Sequence, residues 1–514
     1  MIIYYLWVGV NKYSMKLLSL RLCEHDSNMC FFDGGNLHYF KSERKYQIKN
    51  HAYDDLWSWR SEIKSTFNID YKDIDEIALI IDPWRHNLPT DNEDFFPAIE
   101  YEYLPFDGNV FRLNHHYAHA LSGWMVLDRD PDVSVVIDGF GDKNKTWSVF
   151  KNNDLVEEGL MSTNGSIGCE MANLGNWLGI STINDCEISG KAMGLQSYGN
   201  IDYDFYKFLE KFDIYSINEI FNLQNWIDHK KDQTLARLSP LDFARTVHEF
   251  VGEVLVDFFS KHARKDDLIF YSGGVAQNVI WNTKLKKMFP NLAIPPHCAD
   301  EGLSLGGIEW LRKKNNLSKY SLKDFPFIQK DQAPVTSPSA QTIYKTAKFL
   351  NAGKIVGWYQ GNGEIGPRAL GNRSILVNPL LPNAREITNT VKNRENYRPF
   401  GAVVLAEHKQ TFFKDFTYPN PYMLFVADVL DDSLQSITHI DKTCRIQTLK
   451  DENINLRSLM LEFYKISKCP VLLNTSLNSA GKPIVGSIKD ARDLFYNSQL
   501  DILVIGDEIL EKST

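Results

Sequence analysis

The stretch that decides the fold is LLSLRLCEHDSNMCFFDGGNLHYF, residues 17–40. Its strand-like runs, rich in apolar and aromatic residues, cover Leu17–Leu22, Met29–Phe32 and Leu37–Phe40. Gly34-Gly35 separates the last two runs, as glycine pairs do in hairpin turns. The stretch therefore predicts an antiparallel meander.

A similar pattern returns in VSVVIDGFGDKNKTWSVF, residues 133–150. Two strand-like runs, Val133–Asp138 and Thr146–Phe150, flank a glycine-containing turn that begins with a carboxylate. Because the second pattern repeats the first, the sequence predicts two related halves.

The rest of the chain divides near residues 325–340. Leu241–His262 keeps its apolar residues at helical spacing, which is typical of a core helix. From Arg312 the chain turns polar and basic, and KDQAPVTSPSAQ then has the Pro and Ser content of a linker. We predict a first domain over residues 15–330, a second, mixed α and β domain over 340–514, and a possible N-terminal extension over 1–14.

Composition and charge exclude several classes of protein. The chain has 514 residues, of which 43% are hydrophobic and 24% charged, so extended disorder is not expected. A net charge of -9 argues against a generally basic nucleic-acid coat. Seven cysteines without a Cys-x-x-Cys pair favour a reducing cytoplasm over a disulfide scaffold. The apolar run at residues 1–10 is too short to span a membrane, so no membrane partner is expected.

The motif NHHYAHA is a candidate metal site. On a helix, His115 and His119 stand one turn apart on one face, a spacing at which two imidazoles can share a metal. Asp138, at the end of an apolar run, and Asp300, before Glu301-Gly302, are candidates to complete the shell. Two histidines and two carboxylates suit iron, manganese or zinc.

Two further segments of the first domain are candidates for ligand contact. In YSGGVAQNV, Gly273 and Gly274 follow a predicted strand, where a phosphate cradle and a plain packing turn are both open. In HDSN, His25 follows the first strand and can meet a phosphate or take a proton.

The second domain concentrates cations and amides in tight turns. Arginine forks match phosphate or carboxylate oxygens, and hydroxyl and amide groups after a strand can bind a small planar group. These sequence features predict a site for an anionic, amide-bearing ligand. Its candidate residues are Arg368, Arg373, Lys392, Arg394, Arg398, Arg445, Ser476 and Asn478.

The order of these motifs is recognisable. HDSN, NHHYAHA, VVIDGFGD, SGKAMGLQSYG, SGGVAQN, GPRALGNRS, KNRENYRPFG, HIDKTCRIQ and LLNTSLN together resemble the O-carbamoyltransferase family of nodulation proteins and of aminoglycoside or polyketide tailoring enzymes, such as those of the tobramycin pathway. The resemblance runs from about Met15 to Lys512. It implies an N-terminal domain of the duplicated actin/hexokinase-like (ASKHA) fold and a C-terminal YrdC-like domain.

The resemblance also implies a reaction. The second domain would convert carbamoyl phosphate and ATP to carbamoyl adenylate, and the first would move the carbamoyl group onto a hydroxyl of the acceptor. The implied cofactors are a divalent metal, with iron(II) favoured, and Mg²⁺ for ATP. The partner would be a hydroxyl-bearing acceptor, and the expected assembly is a homodimer.

Residue roles follow from the same resemblance. In the second domain, Arg368, Lys392, Arg398 and Arg445 would hold the phosphates of carbamoyl phosphate and ATP, with Ser476 and Asn478 on the carbamoyl amide. In the first domain, the metal would be bound by His115, His119, Asp138 and Asp300. The adenosine would be cradled by Gly273, Gly274 and Asn278. The catalytic candidates are His25, His116 and Lys191.

Other interpretations remain open at this point. An actin-fold sugar kinase would use a similar cleft but has no role for the second set of cations. A hydrogenase-maturation carbamoyltransferase would have an acylphosphatase-like domain and cysteine pairs, which are absent here, and a binding protein would not turn over ATP. The acceptor is expected to be a sugar or other small molecule. The resemblance, which includes viral relatives that act on 5-hydroxymethylcytosine, implies that base, in DNA or as a nucleotide, as the alternative, and the basic runs KSERK and RKK leave it open. Lys442 stands where the family's turn has glycine.

Overall fold

The computed structural model describes residues 15–82, 95–182, 185–221, 238–320, 322, 324–330 and 335–512. The predicted N-terminal extension, residues 1–14, lies outside the described residues, as do residues 331–334 of the predicted linker. The proposed division at 325–340 therefore stays a prediction. No helix in the described ranges is both long and apolar enough to cross a bilayer.

The first half of the N-terminal region is a six-stranded sheet with the order β3-β2-β1-β4-β6-β5. Strands β1 to β3 are antiparallel neighbours, as the meander prediction requires, and β4 and β6 continue the sheet in parallel to β1. Its strands are β1 (Leu17–Arg21), β2 (Asn28–Phe32), β3 (Leu37–Lys41), β4 (Glu76–Ile80), β5 (Ala98–Glu100) and β6 (Asn109–Leu113), and its helices are Ser42–Tyr46 and Ser58–Phe67.

The second half repeats this arrangement in a five-stranded sheet with the order β11-β10-β7-β8-β9. Again the first three strands are antiparallel neighbours and the next two run parallel to the first. Its strands are β7 (Val133–Ile137), β8 (Lys145–Lys151), β9 (Asp154–Leu160), β10 (Ile269–Ser272) and β11 (Leu292–Ala293). Because both sheets share one topology, the duplicated actin-like fold predicted from the sequence is confirmed.

Helices cover and connect these two sheets. The predicted core helix runs over Pro240–His262, and its residues Val247, Val251 and Leu255 are fully buried. The helices of this region are His115–Leu121, Met161–Asn164, Ile167–Trp177, Ile188–Leu195, Tyr203–Leu209, Ile217–Ile220, Pro240–His262, Val279–Met288 and Leu303–Lys314.

The C-terminal region is built on one eight-stranded sheet with the order β15-β16-β14-β17-β13-β12-β18-β19. Parallel and antiparallel neighbours are mixed in it, so the predicted mixed α and β class is confirmed. Its strands are β12 (Val356–Tyr359), β13 (Arg373–Val377), β14 (Gly401–Leu405), β15 (Phe425–Asp428), β16 (Thr443–Leu449), β17 (Val471–Ser476), β18 (Ile502–Ile505) and β19 (Glu508–Glu511), and its helices are Ala340–Asn351, Ala384–Lys392, Lys409–Phe412, Ile454–Ser467 and Ile488–Tyr496.

The basic runs of the sequence are paired within the fold. In RKK, Arg312 to Lys314 form the last turn of a helix and make ion pairs with carboxylates at 2.7–2.8 Å. In KSERK, the buried Lys41 lies 2.8 Å from Asp26, and Lys45 lies 2.6 Å from Glu62. Neither run presents the unpaired basic stripe that is typical of a nucleic-acid surface.

Candidate active site

The four predicted metal ligands converge at one point. His115 and His119 lie on the helix His115–Leu121, which begins where the Asn114 side chain accepts a hydrogen bond from the Tyr117 amide (3.0 Å). Asp138 directly follows β7, and Asp300 begins a short turn before the helix Leu303–Lys314. One ligand atom from each residue lies within 4.8 Å of the other three.

Both imidazoles present the same atom to the two carboxylates. His115 Nε2 lies 3.1 Å from Asp138 Oδ2 and 3.6 Å from Asp300 Oδ1, and the corresponding distances for His119 Nε2 are 3.4 and 3.3 Å. Burial disfavours a charged His119 ring, but the carboxylates outweigh it and raise the pKa of His119 to about 9. Although burial opposes it, the two rings hold the pKa of Asp138 well below its usual range.

A divalent metal fits this set of residues. His119 is fully buried, and its Nε2 has no hydrogen-bond partner within the described structure, so the atom is an available nitrogen donor. Together the four side chains offer two nitrogens and two carboxylate oxygens, the donor types that iron, manganese or zinc accept. We call His115, His119, Asp138 and Asp300 the metal-ligand cluster.

The outer oxygens of both carboxylates are held by the protein. Asp138 Oδ1 accepts hydrogen bonds from the amides of Gly139 (2.8 Å) and Gly274 (2.9 Å). Asp300 Oδ2 accepts one from Arg21 Nη2 (2.9 Å). Each carboxylate therefore turns its other oxygen toward the histidines, as outer hydrogen bonds commonly orient metal ligands. The sequence analysis missed Arg21, although a charged residue inside the apolar run LSLRL was a usable signal.

The predicted catalytic His25 stands at the edge of this cluster. Its Nε2 lies 3.7 Å from Asp300 Oδ2, and its Nδ1 lies 3.1 Å from Asp26 Oδ2. Burial disfavours a charged His25 ring, but the carboxylates of Asp300 and Asp26 raise its pKa to about 9. With 43% of its side chain exposed, His25 can contact both the cluster and an incoming ligand.

The other two catalytic candidates lie differently. His116 is buried, and its Nδ1 lies 2.7 Å from Ser148 Oγ. Burial and the neighbouring His115 keep the pKa of His116 well below its usual value. Lys191 donates to Glu395 of the C-terminal region (2.6 Å), and no described contact joins it to the metal-ligand cluster.

The predicted adenosine cradle is already partly engaged. The Gly273 amide donates to the Cys298 carbonyl (2.7 Å), and the Gly274 amide donates to Asp138. Gly273 has φ 92°, and a side chain there would meet the Ile137 carbonyl, so this glycine is required for close packing. Asn278 caps the helix Val279–Met288 through its side-chain oxygen. A nucleotide role for these residues stays a prediction. Because the amides of Gly273 and Gly274 already donate hydrogen bonds within the protein, a nucleotide would pack against the glycine backbone rather than bind these two amides.

Part of the predicted carbamoyl phosphate and ATP set meets at the end of β17. Lys392, the last residue of the helix Ala384–Lys392, donates to the Ser476 carbonyl (2.7 Å) and the Asn478 carbonyl (2.8 Å). Ser476 Oγ donates to Asn478 Oδ1 (2.6 Å). These three side chains form one polar corner at the edge of the sheet.

Arginines gather beside this corner. Burial and the charge of Arg398 lower the pKa of Arg368, and burial together with Arg368 and Arg394 holds the pKa of Arg445 well below its usual range. The Nε atoms of Arg368, Arg394 and Arg445 are buried without a hydrogen-bond partner in the described structure. We call Arg368, Lys392, Arg394, Arg398 and Arg445 the cation cluster.

The cation cluster is short of counter-charges. Within the part of the chain that the structure describes, only Arg398 of the five forms an ion pair, at 3.5 Å from Glu395. Like charges gathered without anions are unfavourable, so the arrangement suits a bound polyanion such as a phosphate. Arg394 belongs to this cluster although its role was not assigned from the sequence.

The loop of Arg368 contacts segments that lie next to the metal-ligand cluster. Arg368 Nη2 donates to the carbonyl of Gln277 (3.4 Å), in the same loop as Gly274, which binds Asp138. Gly366, two residues before Arg368, packs so closely on the Pro296 carbonyl that no side chain would fit there. The loop that provides Arg368 therefore lies against the segment that leads to Asp300 and against the loop whose Gly274 holds Asp138.

Two family models match the chain, one in the N-terminal region and one in the C-terminal region. The family model described as Carbamoyltransferase N-terminus matches residues 104–308, and that described as Carbamoyltransferase C-terminus matches residues 347–512. Nodulation protein NolNO of Sinorhizobium fredii (strain NBRC 101917 / NGR234) is 29% identical over 441 residues, which are 78% of this chain and 64% of that protein, so the chain spans less than two thirds of its length.

Two further similarities cover smaller parts of the chain. The 3'-hydroxymethylcephem-O-carbamoyltransferase of Amycolatopsis lactamdurans is 32% identical over 271 residues, 50% of this chain and 52% of that protein. The solved structure of HypF from T. kodakarensis is 13% identical, with a TM-score of 0.38, and covers 60% of this chain and 49% of that one. Since the two family matches together take in most of the residues between 104 and 512, the chain belongs to the carbamoyltransferase family and is a transferase.

Proposed function

We propose that the protein is an ATP-dependent O-carbamoyltransferase with two half-reactions. The C-terminal domain would form carbamoyl adenylate, and the N-terminal domain would transfer the carbamoyl group to a hydroxyl. The observation that supports this is that Arg368 of the cation cluster contacts the loop whose Gly274 holds Asp138 of the metal-ligand cluster. A single-step kinase has no use for a second anion site at this position.

The first half-reaction consumes carbamoyl phosphate, water and ATP and yields carbamoyl adenylate, phosphate and pyrophosphate. The cation cluster would hold the phosphates and neutralise the charge that develops as pyrophosphate leaves, with Mg²⁺ accompanying ATP. Ser476 and Asn478 lie within hydrogen-bond distance of Lys392, which supports a role for them on the carbamoyl amide beside a bound phosphate.

In the second half-reaction, the acceptor oxygen forms a bond to the carbamoyl carbon, the bond from that carbon to AMP breaks, and the hydroxyl proton leaves. His25 is proposed as the general base or as the partner of the developing oxyanion, because its half-exposed ring lies beside Asp300. His115, His119, Asp138 and Asp300 would hold a divalent metal, proposed to be iron(II), which when bound supplies Lewis-acid polarisation.

The acceptor is proposed to be a sugar or another small metabolite. The internal pairing of Lys41, Arg312 and Lys314 supports a small acceptor over a hydroxymethylcytosine in DNA. A relative bearing the name 3'-hydroxymethylcephem-O-carbamoyltransferase also points to a small hydroxymethyl compound. We further propose a cytoplasmic location, because Cys23, Cys30, Cys298, Cys444 and Cys469 are buried free thiols.

The test incubates the purified protein with carbamoyl phosphate, ATP, Mg²⁺ and iron(II). Pyrophosphate release is followed without acceptor, and the mass of each acceptor is then measured across sugars, aminoglycosides and DNA that contains 5-hydroxymethylcytosine. The expected result is pyrophosphate release together with the mass gain of one carbamoyl group on one acceptor class. A phosphoryl mass gain would establish the kinase alternative, and metal-loaded protein without nucleotide turnover would refute the proposal.

If DNA is the acceptor, its binding should weaken steeply with salt, because phosphate contacts release counterions. A sugar acceptor should bind with little salt dependence.

Lys392→Met is expected to abolish pyrophosphate release, whereas His25→Asn should leave pyrophosphate release unchanged and abolish carbamoyl transfer. The paired variants therefore assign each half-reaction to its own domain.

A further inference from the structure

Lys191 forms an ion pair that joins the two domains. It lies on the helix Ile188–Leu195, and its Nζ donates to Glu395 Oε1 at 2.6 Å. Only 8% of the Lys191 side chain is exposed, against 36% for Glu395. A second carboxylate, Glu187 Oε2, lies 3.9 Å from Lys191 Nζ, so Glu395 is the nearer of the two partners that balance this buried cation.

On the N-terminal side, Lys191 is linked to the metal-ligand cluster through two helices. Ser189 Oγ, two residues before Lys191, donates to the Gly168 carbonyl (3.2 Å) in the helix Ile167–Trp177. At the start of that helix, Ser166 Oγ donates to the Gly139 carbonyl (2.6 Å). Gly139 directly follows the metal ligand Asp138, so a displacement of the Lys191 helix would reach the loop that positions this carboxylate.

On the C-terminal side, Glu395 belongs to the loop that provides the cation cluster. Its Oε2 lies 3.5 Å from Arg398 Nη1, and its carbonyl accepts a hydrogen bond from the Arg398 amide (3.1 Å). Lys392 and Arg394 come from the same short segment, KNRENYRPFG. Glu395 is thus the one carboxylate in this segment. Its Oε1 contacts Lys191 of the N-terminal domain, and its Oε2 contacts Arg398 of the C-terminal domain.

We propose that Lys191 and Glu395 are positioning residues that couple the two half-reactions. The pair would hold the loop with Lys392 and Arg398 against the metal half-site, so that carbamoyl adenylate meets the acceptor before it meets water. This inference rests on the proposed function. Without the pair, carbamoyl adenylate would escape and react with water to give AMP and carbamic acid, which decomposes to carbon dioxide and ammonia.

The test compares the wild type with Lys191→Met, Glu395→Gln and the double variant, at saturating carbamoyl phosphate and ATP. Lys191→Met keeps the length of the side chain and removes the charge. We expect the rate of pyrophosphate release to stay within about twofold of the wild type. The amount of carbamoylated acceptor formed per pyrophosphate should fall about tenfold, and the release of ammonia should rise. A tenfold effect is of the size expected for the loss of one charge-assisted hydrogen bond. The double variant should be no worse than either single variant, since all three lack the same interaction.

The control is Lys489→Met, which removes an exposed lysine paired with Asp493 at 2.8 Å on a distant helix. It should change neither pyrophosphate release nor the coupling ratio. The inference is overturned if Lys191→Met lowers both half-reactions in equal proportion, or if the coupling ratio is unchanged. A wild type that releases no pyrophosphate would instead refute the proposed function, and this inference with it.

Discussion

Arg445→Met is expected to make the ligand-free protein more stable and to abolish its stabilisation by phosphate ligands. Arg445 lies on β16 with its Nε buried and unpartnered in the described structure. Burial and the charges of Arg368 and Arg394 lower its pKa far below the usual value, which expresses the cost of keeping this guanidinium charged. Methionine fills much of the same space without charge or hydrogen-bond donor.

The size of the effect follows from these contacts. A buried donor without a partner costs about 1–3 kcal/mol, and the lost packing of the arginine stem offsets part of the gain. We therefore expect the variant to be about 1–2 kcal/mol more stable without ligand, or a few degrees in Tm at about 2–4 °C per kcal/mol. At a ligand concentration about 100 times Kd, the wild type should gain about 2.7 kcal/mol that the variant lacks.

The assay is thermal unfolding with and without MgATP and carbamoyl phosphate. The order of stability should reverse: the variant unfolds at the higher temperature without ligand and at the lower one with ligand. Arg457→Met is the matched control, because Arg457 in the same domain is paired with Glu407 at 3.0 Å and should show no gain. The reasoning is refuted if Arg445→Met destabilises the ligand-free protein, or if the ligand shift persists.

Three further changes test other parts of the structure. His119→Ala removes one of the proposed metal ligands, so equilibrium dialysis should show the affinity for iron(II) or zinc falling by more than the ~10–100-fold typical of losing a residue that only hydrogen-bonds to a ligand. His408→Ala should leave the affinity unchanged. Burial, with smaller contributions from neighbouring cations, lowers the pKa of His248 to about 3, so the unfolded chain takes up the proton first. Between about pH 6.5 and pH 3 the contribution of His248 should lower the stability by ~1.4 kcal/mol per pH unit as the pH falls, so chemical denaturation of His248→Gln should show a pH slope smaller by that amount than the wild type. Lys442, exposed at φ 64°, is strained, so Lys442→Gly should raise the free energy of unfolding by ~0.5–1 kcal/mol, and an unchanged denaturation midpoint would contradict this.

The strand positions and the candidate metal ligands could be predicted from the sequence, because strands and the histidine pair rest on local patterns. Leu37–Phe40 was predicted within one residue of β3, since alternating apolar residues next to a glycine turn specify a hairpin locally. His115 and His119 share a helix face by their spacing alone. Asp138 and Asp300 were candidates from their positions in the sequence, the family resemblance implied the same four ligands, and the structure brings their oxygens within 3.6 Å of the imidazoles.

Other features depend on contacts between distant segments. Local sequence gives no sign that the Gly274 amide is bound by Asp138, 136 residues away, or that Lys191 is bound by Glu395, 204 residues away. The same holds for Arg21, whose partner Asp300 lies 279 residues along the chain. The sequence could identify these side chains as polar, but their partners depend on how the sheets pack.

The sequence by itself therefore determined the elements, the duplication and the types of ligand that each segment can bind. Periodicity and turn residues act over a few positions, so they can be read without a fold. Only the tertiary structure decided that Arg368 of the cation cluster contacts the loop whose Gly274 holds Asp138, and that four of the five cations lack a described carboxylate partner. The charge balance of a buried site depends on all the charged side chains around it. Because these side chains come from distant segments, their distances are set only when the chain folds.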